Sequence, residues 1–138
     1  MTSEAVRQDM FTVLHGQATP IVTRWSYRAA DPFAVTLAVR IQQGHWIEWL
    51  VARDLVVRAL DEATGEGDIR MTPKTASGYD IVEIEIRSTD GRAVLEVDHD
   101  LLHQFVHATL GVVALGQESA HVDMDEAIAR LITRSTAE

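Results

Sequence analysis

Ile21-Val22-Thr23-Arg24-Trp25-Ser26-Tyr27-Arg28 alternates large apolar with polar side chains. A period of two sends successive side chains to opposite faces of a strand. Ile21, Trp25 and Tyr27 are therefore expected to face a core, and Arg24, Ser26 and Arg28 to point away from it. Val35, Leu37, Val39 and Ile41 repeat the pattern against Thr36, Arg40 and Gln42, and Asp31-Pro32 offers the turn between the two strands. Upstream, Met10 to His15 reads as a first strand. Downstream, Gln43-Gly44 bends the chain into a fourth, Trp46 to Val51, so the first half is an antiparallel meander.

Beyond it the period changes to helical. Leu55, Val56, Ala59, Leu60 and Ala63 form one apolar stripe, which predicts a short helix over Arg53 to Glu62. Asp54 suits the positive end of its dipole, and Gly65 is expected to end it in a left-handed conformation. Three more strands follow, Gly67 to Thr72, Asp80 to Arg87 and Arg92 to Val97. Pro73 to Gly78 reads as a loop and Asp90-Gly91 as a hairpin turn. Leu101, Leu102, Phe105, Val106, Thr109 and Leu110 then mark a helix, and Asp123 with Glu126 three residues later starts a second one. Four strands, a helix, three strands and two helices make an α+β fold, a curled antiparallel sheet or a barrel.

The chain of 138 residues fits one domain, spanning 1–138. Hydrophobic residues at 46% set it apart from disordered chains. The absence of cysteine excludes disulfides, thiolate metal sites and cysteine nucleophiles, and suits a reducing cytoplasm. No apolar run approaches the ~20 residues of a transmembrane helix, and Met1 to Met10 lacks the order of a secretory signal, so a cytoplasmic protein is expected. A formal charge of −9 repels polyanions at long range and disfavours nucleic acid as the partner.

Candidate chemistry is sparse. His99, His103 and His107 recur every four residues, a spacing that could offer nitrogen ligands to zinc, but they flank the apolar stripe, where imidazole serves as a half-exposed filler. Glu83 and Glu85 share one strand face like a glycosidase pair, yet simple alternation with Val82, Ile84 and Ile86 accounts for them. Thr64-Gly65-Glu66-Gly67 follows a helix and lacks the lysine of a phosphate loop, so it reads as a turn. Ser26, Ser77 and Ser88 have no histidine and acid at recognisable spacing. No enzyme activity, metal or cofactor is expected. Arg24, Arg28 and Arg40 near Trp46 form the basic and aromatic layout of a single-stranded nucleic-acid-binding surface, which stands as the alternative reading.

Ala30-Asp31-Pro32-Phe33-Ala34-Val35, then Glu48-Trp49 with Ala52-Arg53-Asp54-Leu55, then Thr64-Gly65-Glu66-Gly67-Asp68-Ile69-Arg70 resemble the SsgA-like proteins of actinobacteria, with Tyr27, Phe33, Ile69 and Pro73 as identical or conservative matches. Asp123-Met124-Asp125-Glu126 is similar to the family's last acidic helix start. The resemblance implies a role in sporulation and cell division, a Whirly-like fold, a homotrimer, and an adaptor that positions FtsZ or binds other SsgA-like proteins at division septa. The Arg53–Asp54 pair could then be a docking site, although Asp54 suits a helix start and Trp49, with Ile47 and Val51, the core. Trp46 points away from that core face and is the expected marker of an interface between copies. Asp123 and Asp125 are the expected contacts for a partner.

Overall fold

The computed structural model describes residues 4–41 and 44–120. Its elements are β1 (Ala5–Leu14), β2 (Ile21–Arg28), β3 (Asp31–Arg40), β4 (Trp46–Ala52), α1 (Arg53–Arg58), β5 (Thr64–Glu66), β6 (Ile69–Ala76), β7 (Tyr79–Ser88), β8 (Gly91–Asp98) and α2 (His99–Val112). The strands form one antiparallel sheet in the order β4-β3-β2-β1-β8-β7-β6-β5. β1 is the seam: its residues 5–12 pair with β2, whereas Val13 and Leu14 pair with Glu96 and Leu95 of β8. The sheet thus curls as two four-stranded halves about one strand, leaving β4 and β5 as its edges.

The alternation in β2 and β3 is realised as expected. Thr23, Trp25 and Tyr27 are buried opposite Val39, Leu37 and Val35. The helices close the concave side, where Leu102, Phe105 and Val106 of α2 and Leu55 and Val56 of α1 meet Trp25, Leu37, Val82, Ile84 and Val97. Trp25 and Phe105 lie 5.9 Å apart at 54°, the tilted geometry that aromatic quadrupoles favour. Asp98 caps α2 by accepting from the Leu101 N–H, and His99 Nε2 donates to the Leu60 carbonyl, tying the start of α2 to the end of α1.

Several boundaries differ from the sequence reading, each for a local reason. The β2–β3 turn is at residues 29–30, so Asp31-Pro32 opens β3 instead, and the Pro32 carbonyl accepts from the Tyr27 hydroxyl. Ile41 lies past the last β3–β4 pair and is 43% exposed. Ile47, on edge strand β4, is also open to solvent, while Trp49 is half-buried and Val51 buried. α1 ends at Arg58 with Ala59 as its cap, well before Gly65; Gly65 sits inside β5, and the positive φ falls on Gly67 in the β5–β6 turn. Thr64-Gly65-Glu66 is a strand, which makes eight strands where seven were expected. Pro73 to Ala76 continues β6, because β5 covers only Ile69 to Met71 and an edge position asks no N–H of proline. The β7–β8 turn is Thr89-Asp90, one residue before the expected Asp90-Gly91. The second C-terminal helix expected from Asp123 lies outside the described residues.

Candidate functional site

Of the residues that carry the family resemblance, Arg53 is the most constrained. Its side chain is only 2% exposed, at the start of α1 beneath the end of α2. Nη1 donates to the carbonyls of Thr109 (3.2 Å) and Val113 (2.5 Å), and Nη2 to that of Ala114 (3.5 Å). Nη2 also lies 3.1 Å from the Glu118 carboxylate, and the guanidinium rests 4.8 Å from the centroid of the Tyr27 ring. α2 has no basic residue in its last turn, so Arg53 supplies from another helix the cation and the donors that its C-terminal carbonyls need. Asp54, its sequence neighbour, is exposed and pairs with Arg58 along α1 at 3.0 Å. The structure therefore separates the two: Arg53 fastens residues 113–118 to the core, and Asp54 stays on the surface.

Burial pushes the Glu118 carboxyl up, but the N–H groups of Gly116 and of Glu118 itself, with Arg53, pull it further down, to a net position below its ordinary value of 4.5. A depressed folded-state value contributes stability that is present above pH ~4.5 and is lost as pH falls through the folded value. As pH falls below about 4.5, unfolding free energy should drop more steeply in the wild type than in Glu118→Gln. Parallel slopes would remove Glu118 from the acid response.

The convex face of the β1–β4 half presents a second constellation. Cross-strand registers put Phe11 beside Val22, Asp9 beside Arg24, Arg24 beside Ala38, and Arg40 beside Trp46. Asp9, Phe11, Val22, Arg24, Arg40 and Trp46 surround a shallow hollow of about 260 Å³. Arg24 donates to both Asp9 oxygens (2.8 and 3.1 Å), and its guanidinium lies 4.4 Å from the Trp46 ring centroid. That hydrogen bond holds Asp9 below the usual carboxylate range. Trp46 is thereby half-covered within its own chain, so it is not left to water as the alternation alone suggested. Phe11 is 74% exposed across the hollow.

The other candidates fall apart spatially or have partners. His99 is engaged by Leu60, His103 and His107 are exposed, and among the described residues no three of His, Asp and Glu are grouped to hold a metal. Glu85 accepts from Arg87 (2.6 Å) and Arg92 (3.4 Å), and Glu83 from Lys74 (3.1 Å). The Arg87 hydrogen bond keeps Glu85 below its ordinary range, the reverse of what a general acid requires. Asp98 is spent as a helix cap, and Asp123 and Asp125 lie outside the described residues. Sequence reasoning missed Glu118 as the partner of Arg53 and Phe11 as an exposed aromatic. The signal for Phe11 was its parity with Val13 on β1, opposite to Met10 and Thr12.

A family model described as Streptomyces sporulation and cell division protein, SsgA, matches residues 21–118. Among curated relatives, the sporulation-specific cell division protein SsgB of Salinispora tropica is 38% identical over 117 residues, covering 83% of this chain and 82% of its own length. SsgB of Streptomyces coelicolor is 33% identical over 116 residues, with 84% and 85% covered. Two solved structures share the fold at 30% identity. One is an SsgA-like sporulation-specific cell division protein from Thermobifida fusca, with a TM-score of 0.84 over 94% of this chain and 98% of the other. The second comes from work linking SsgB mutations to longitudinal cell division during sporulation of Streptomyces coelicolor, with a TM-score of 0.81 over 88% and 98%.

Proposed function

From the premise that the chain belongs to the SsgA family of sporulation and cell division proteins, we propose that it is a non-enzymatic adaptor of septation. It acts in the cytoplasm at division septa, without a cofactor, and recruits or positions FtsZ directly or through other SsgA-like proteins. The observation that carries this reading is how the chain uses its polar groups. Arg53, Asp98, His99, Glu83 and Glu85 are all engaged in intramolecular contacts, while apolar and basic groups stand presented on the convex face and at the edge strand. Among the described residues, no helix is long and apolar enough to cross a membrane. Purified FtsZ and purified family members, each tested for capture by the immobilised protein, decide the matter: capture of either supports the adaptor, and capture of neither overturns it.

Self-association as a homotrimer belongs to the same proposal. β4 and β5 each leave one row of backbone donors and acceptors unpaired within the sheet, and a neighbouring copy satisfies such rows. Ile47 and Leu50, 42% and 69% exposed on β4, would be covered by that contact. Trp46, on the same strand, remains its marker. Light scattering should show a trimer for the wild type and a smaller weight-average mass for Trp46→Ala; a monomeric wild type would refute the assembly.

Asp123 and Asp125 are proposed as partner contacts that speed encounter. Changing both to Asn should slow association with the captured partner at low salt. The loss of a cap at Asp123 costs about 1 kcal/mol, so thermal stability is measured alongside. A rate unaffected by both substitutions and by salt would place docking elsewhere. A single-stranded nucleic-acid-binding module is the second reading, favoured by Arg24, Arg40, Phe11 and Trp46 around one hollow. It requires binding of labelled single-stranded DNA at low salt that weakens steeply as salt is added.

A further inference from the structure

We propose that residues 121–138 fold back on their own chain, with the apolar stripe Met124, Ala127, Ile128, Leu131 and Ile132 seated on the inner face of β3 and β4 at Ile41, Ile47 and Trp49. The inference goes beyond the adaptor reading and does not depend on it.

The first argument is an inner face left uncovered. By parity Ile41, Ile47 and Trp49 point to the concave side, as the buried Val39 and Val51 do. Exposure nonetheless rises from 3% at Val51 through half-buried Trp49 to 42% at Ile47, and from 5% at Val39 to 43% at Ile41. Val39 pairs with Ile47, and the Ile41 N–H donates to the His45 carbonyl, so the exposed residues form one continuous row at this end of the sheet. The described helices lie elsewhere: α2 packs on β1, β2, β7 and β8, and α1 is six residues long and leaves from the opposite end of β4. Leu50 is more exposed still, but its parity places it on the convex face, where exposure is expected. Apolar side chains turned to the core side and left in water call for a cover.

The second argument is reach. Arg53 directly follows Ala52, the last residue of β4, and holds Glu118 at 3.1 Å, so the chain heads toward residue 121 from a point beside the end of β4. The stretch from Glu118 to Met124 spans up to ~20 Å when extended, enough to bring the stripe over Trp49. The lengths agree: Val51 to Ile47 is about 13 Å along a strand, and Met124 to Ile132 is about 12 Å along a helix.

The third argument is what the segment needs. Met124, Ala127, Ile128, Leu131 and Ile132 fall on one face at helical spacing. A helix of that length is marginal alone in water and becomes stable by burying such a face. The Arg53–Glu118 tether presents the inner face of its own sheet at an effective concentration in the millimolar range, above that of a second copy in dilute solution. At the same spacing Asp123 and Asp125 fall on the flanks of the stripe, clear of its centre. The segment lies on the face of β4 and a neighbouring copy pairs with its edge, so the two contacts coexist and share Ile47.

The test uses the full chain, whose lack of cysteine makes introduced thiols unique. Ile47→Cys combined with Ile128→Cys is treated with a bifunctional thiol reagent spanning about 10 Å, the separation of packed layers. Leu50→Cys combined with Ile128→Cys, its first thiol on the opposite face of β4, is the control. Products are separated under denaturing conditions and mapped by peptide mass. A link between residues 47 and 128 of one chain should form at least about tenfold faster than the control link. The unsubstituted protein supplies a measurement that no substitution disturbs: methyl NOEs should join Ile128, Leu131 or Ile132 to Ile47 or to the Trp49 ring. Equal rates for the two pairs overturn the proposal, as do NOEs from the stripe to another surface or to none. A product that mainly joins residue 47 of one chain to residue 128 of another overturns it too, since a second copy would then supply the cover.

Discussion

Arg53→Met should lower the free energy of unfolding by about 3–5 kcal/mol, the range observed when one member of a buried ionic cluster is removed. The change keeps much of the volume and the apolar stem, so the loss reports the guanidinium itself. Without it, the carbonyls of Thr109, Val113 and Ala114 lose their side-chain donor, and Glu118, whose side chain is only 18% exposed, loses its cation. Tyr27 loses the charge stacked on its ring as well. Arg53→Lys should recover only part of the stability, because an ammonium is a point charge and cannot fork toward several acceptors at once. Urea titration of the three proteins checks the order wild type, Lys, Met. A loss under about 1 kcal/mol for Arg53→Met would mean that water reaches those carbonyls freely and that Arg53 does not fasten the segment.

What the sequence discloses about this fold depends on how much packing each element needs before its pattern appears. β2, β3 and α2 were legible because one face of each is buried along most of its length, which forces the period into the residues: Trp25, Tyr27, Val35, Leu37, Leu102, Phe105 and Val106 all lie in the core. β5 was not legible, since three residues cannot express an alternation, and Thr64-Gly65-Glu66 carries turn-forming types. The end of β6 was misread because proline and glycine usually punctuate; on an edge, Pro73 pairs with Val82 without offering the N–H that an inner strand would need. The first half of β1 escaped notice because Gln8 occupies an inward-parity position, where its side chain donates to the Leu101 carbonyl of α2.

The functional surfaces were legible to a different degree. Arg24, Arg40 and Trp46 could be assigned to one outer face from parity alone, and cross-strand register then joined Phe11 to them. Register is set by turn lengths, and the β2–β3 turn was placed two residues late, so neighbours across that turn could not be derived. The docking-site alternative for Arg53 and Asp54 places both on the surface, where charged residues usually lie, and nothing local in the sequence singles Arg53 out for burial. Its acceptors lie 56 to 61 positions away in sequence, and no periodicity reports such a contact. The one local hint was the want of a basic residue at the end of α2, a gap that another element had to fill.

Thr23→Val, which exchanges a hydroxyl for a methyl of nearly equal volume, should destabilise the protein by about 2–4 kcal/mol, far beyond what its size change implies. The Thr23 hydroxyl sits at zero exposure and serves three groups: it accepts from Trp25 Nε1 (3.1 Å), contacts the Thr12 hydroxyl (2.9 Å) and donates to the Met10 carbonyl (3.3 Å). One donor and two acceptor sites meet those needs if Thr12 donates, which leaves no spare capacity and no unsatisfied atom. Valine strands the indole N–H and the Thr12 hydroxyl in a dry core, each at about 1–3 kcal/mol. The cost should be non-additive: Trp25→Phe in the Thr23→Val background removes a stranded donor, so the double variant should lose less than the two single losses combined. Thr23→Ser, which keeps the hydroxyl, should cost about 1 kcal/mol through the lost methyl. Chemical denaturation of these variants, with the indole proton of Trp25 followed by NMR, tests the hub directly. Equal losses for Thr23→Val and Thr23→Ser would assign the effect to packing and not to the hydroxyl that joins β1 to β2 beneath the convex face.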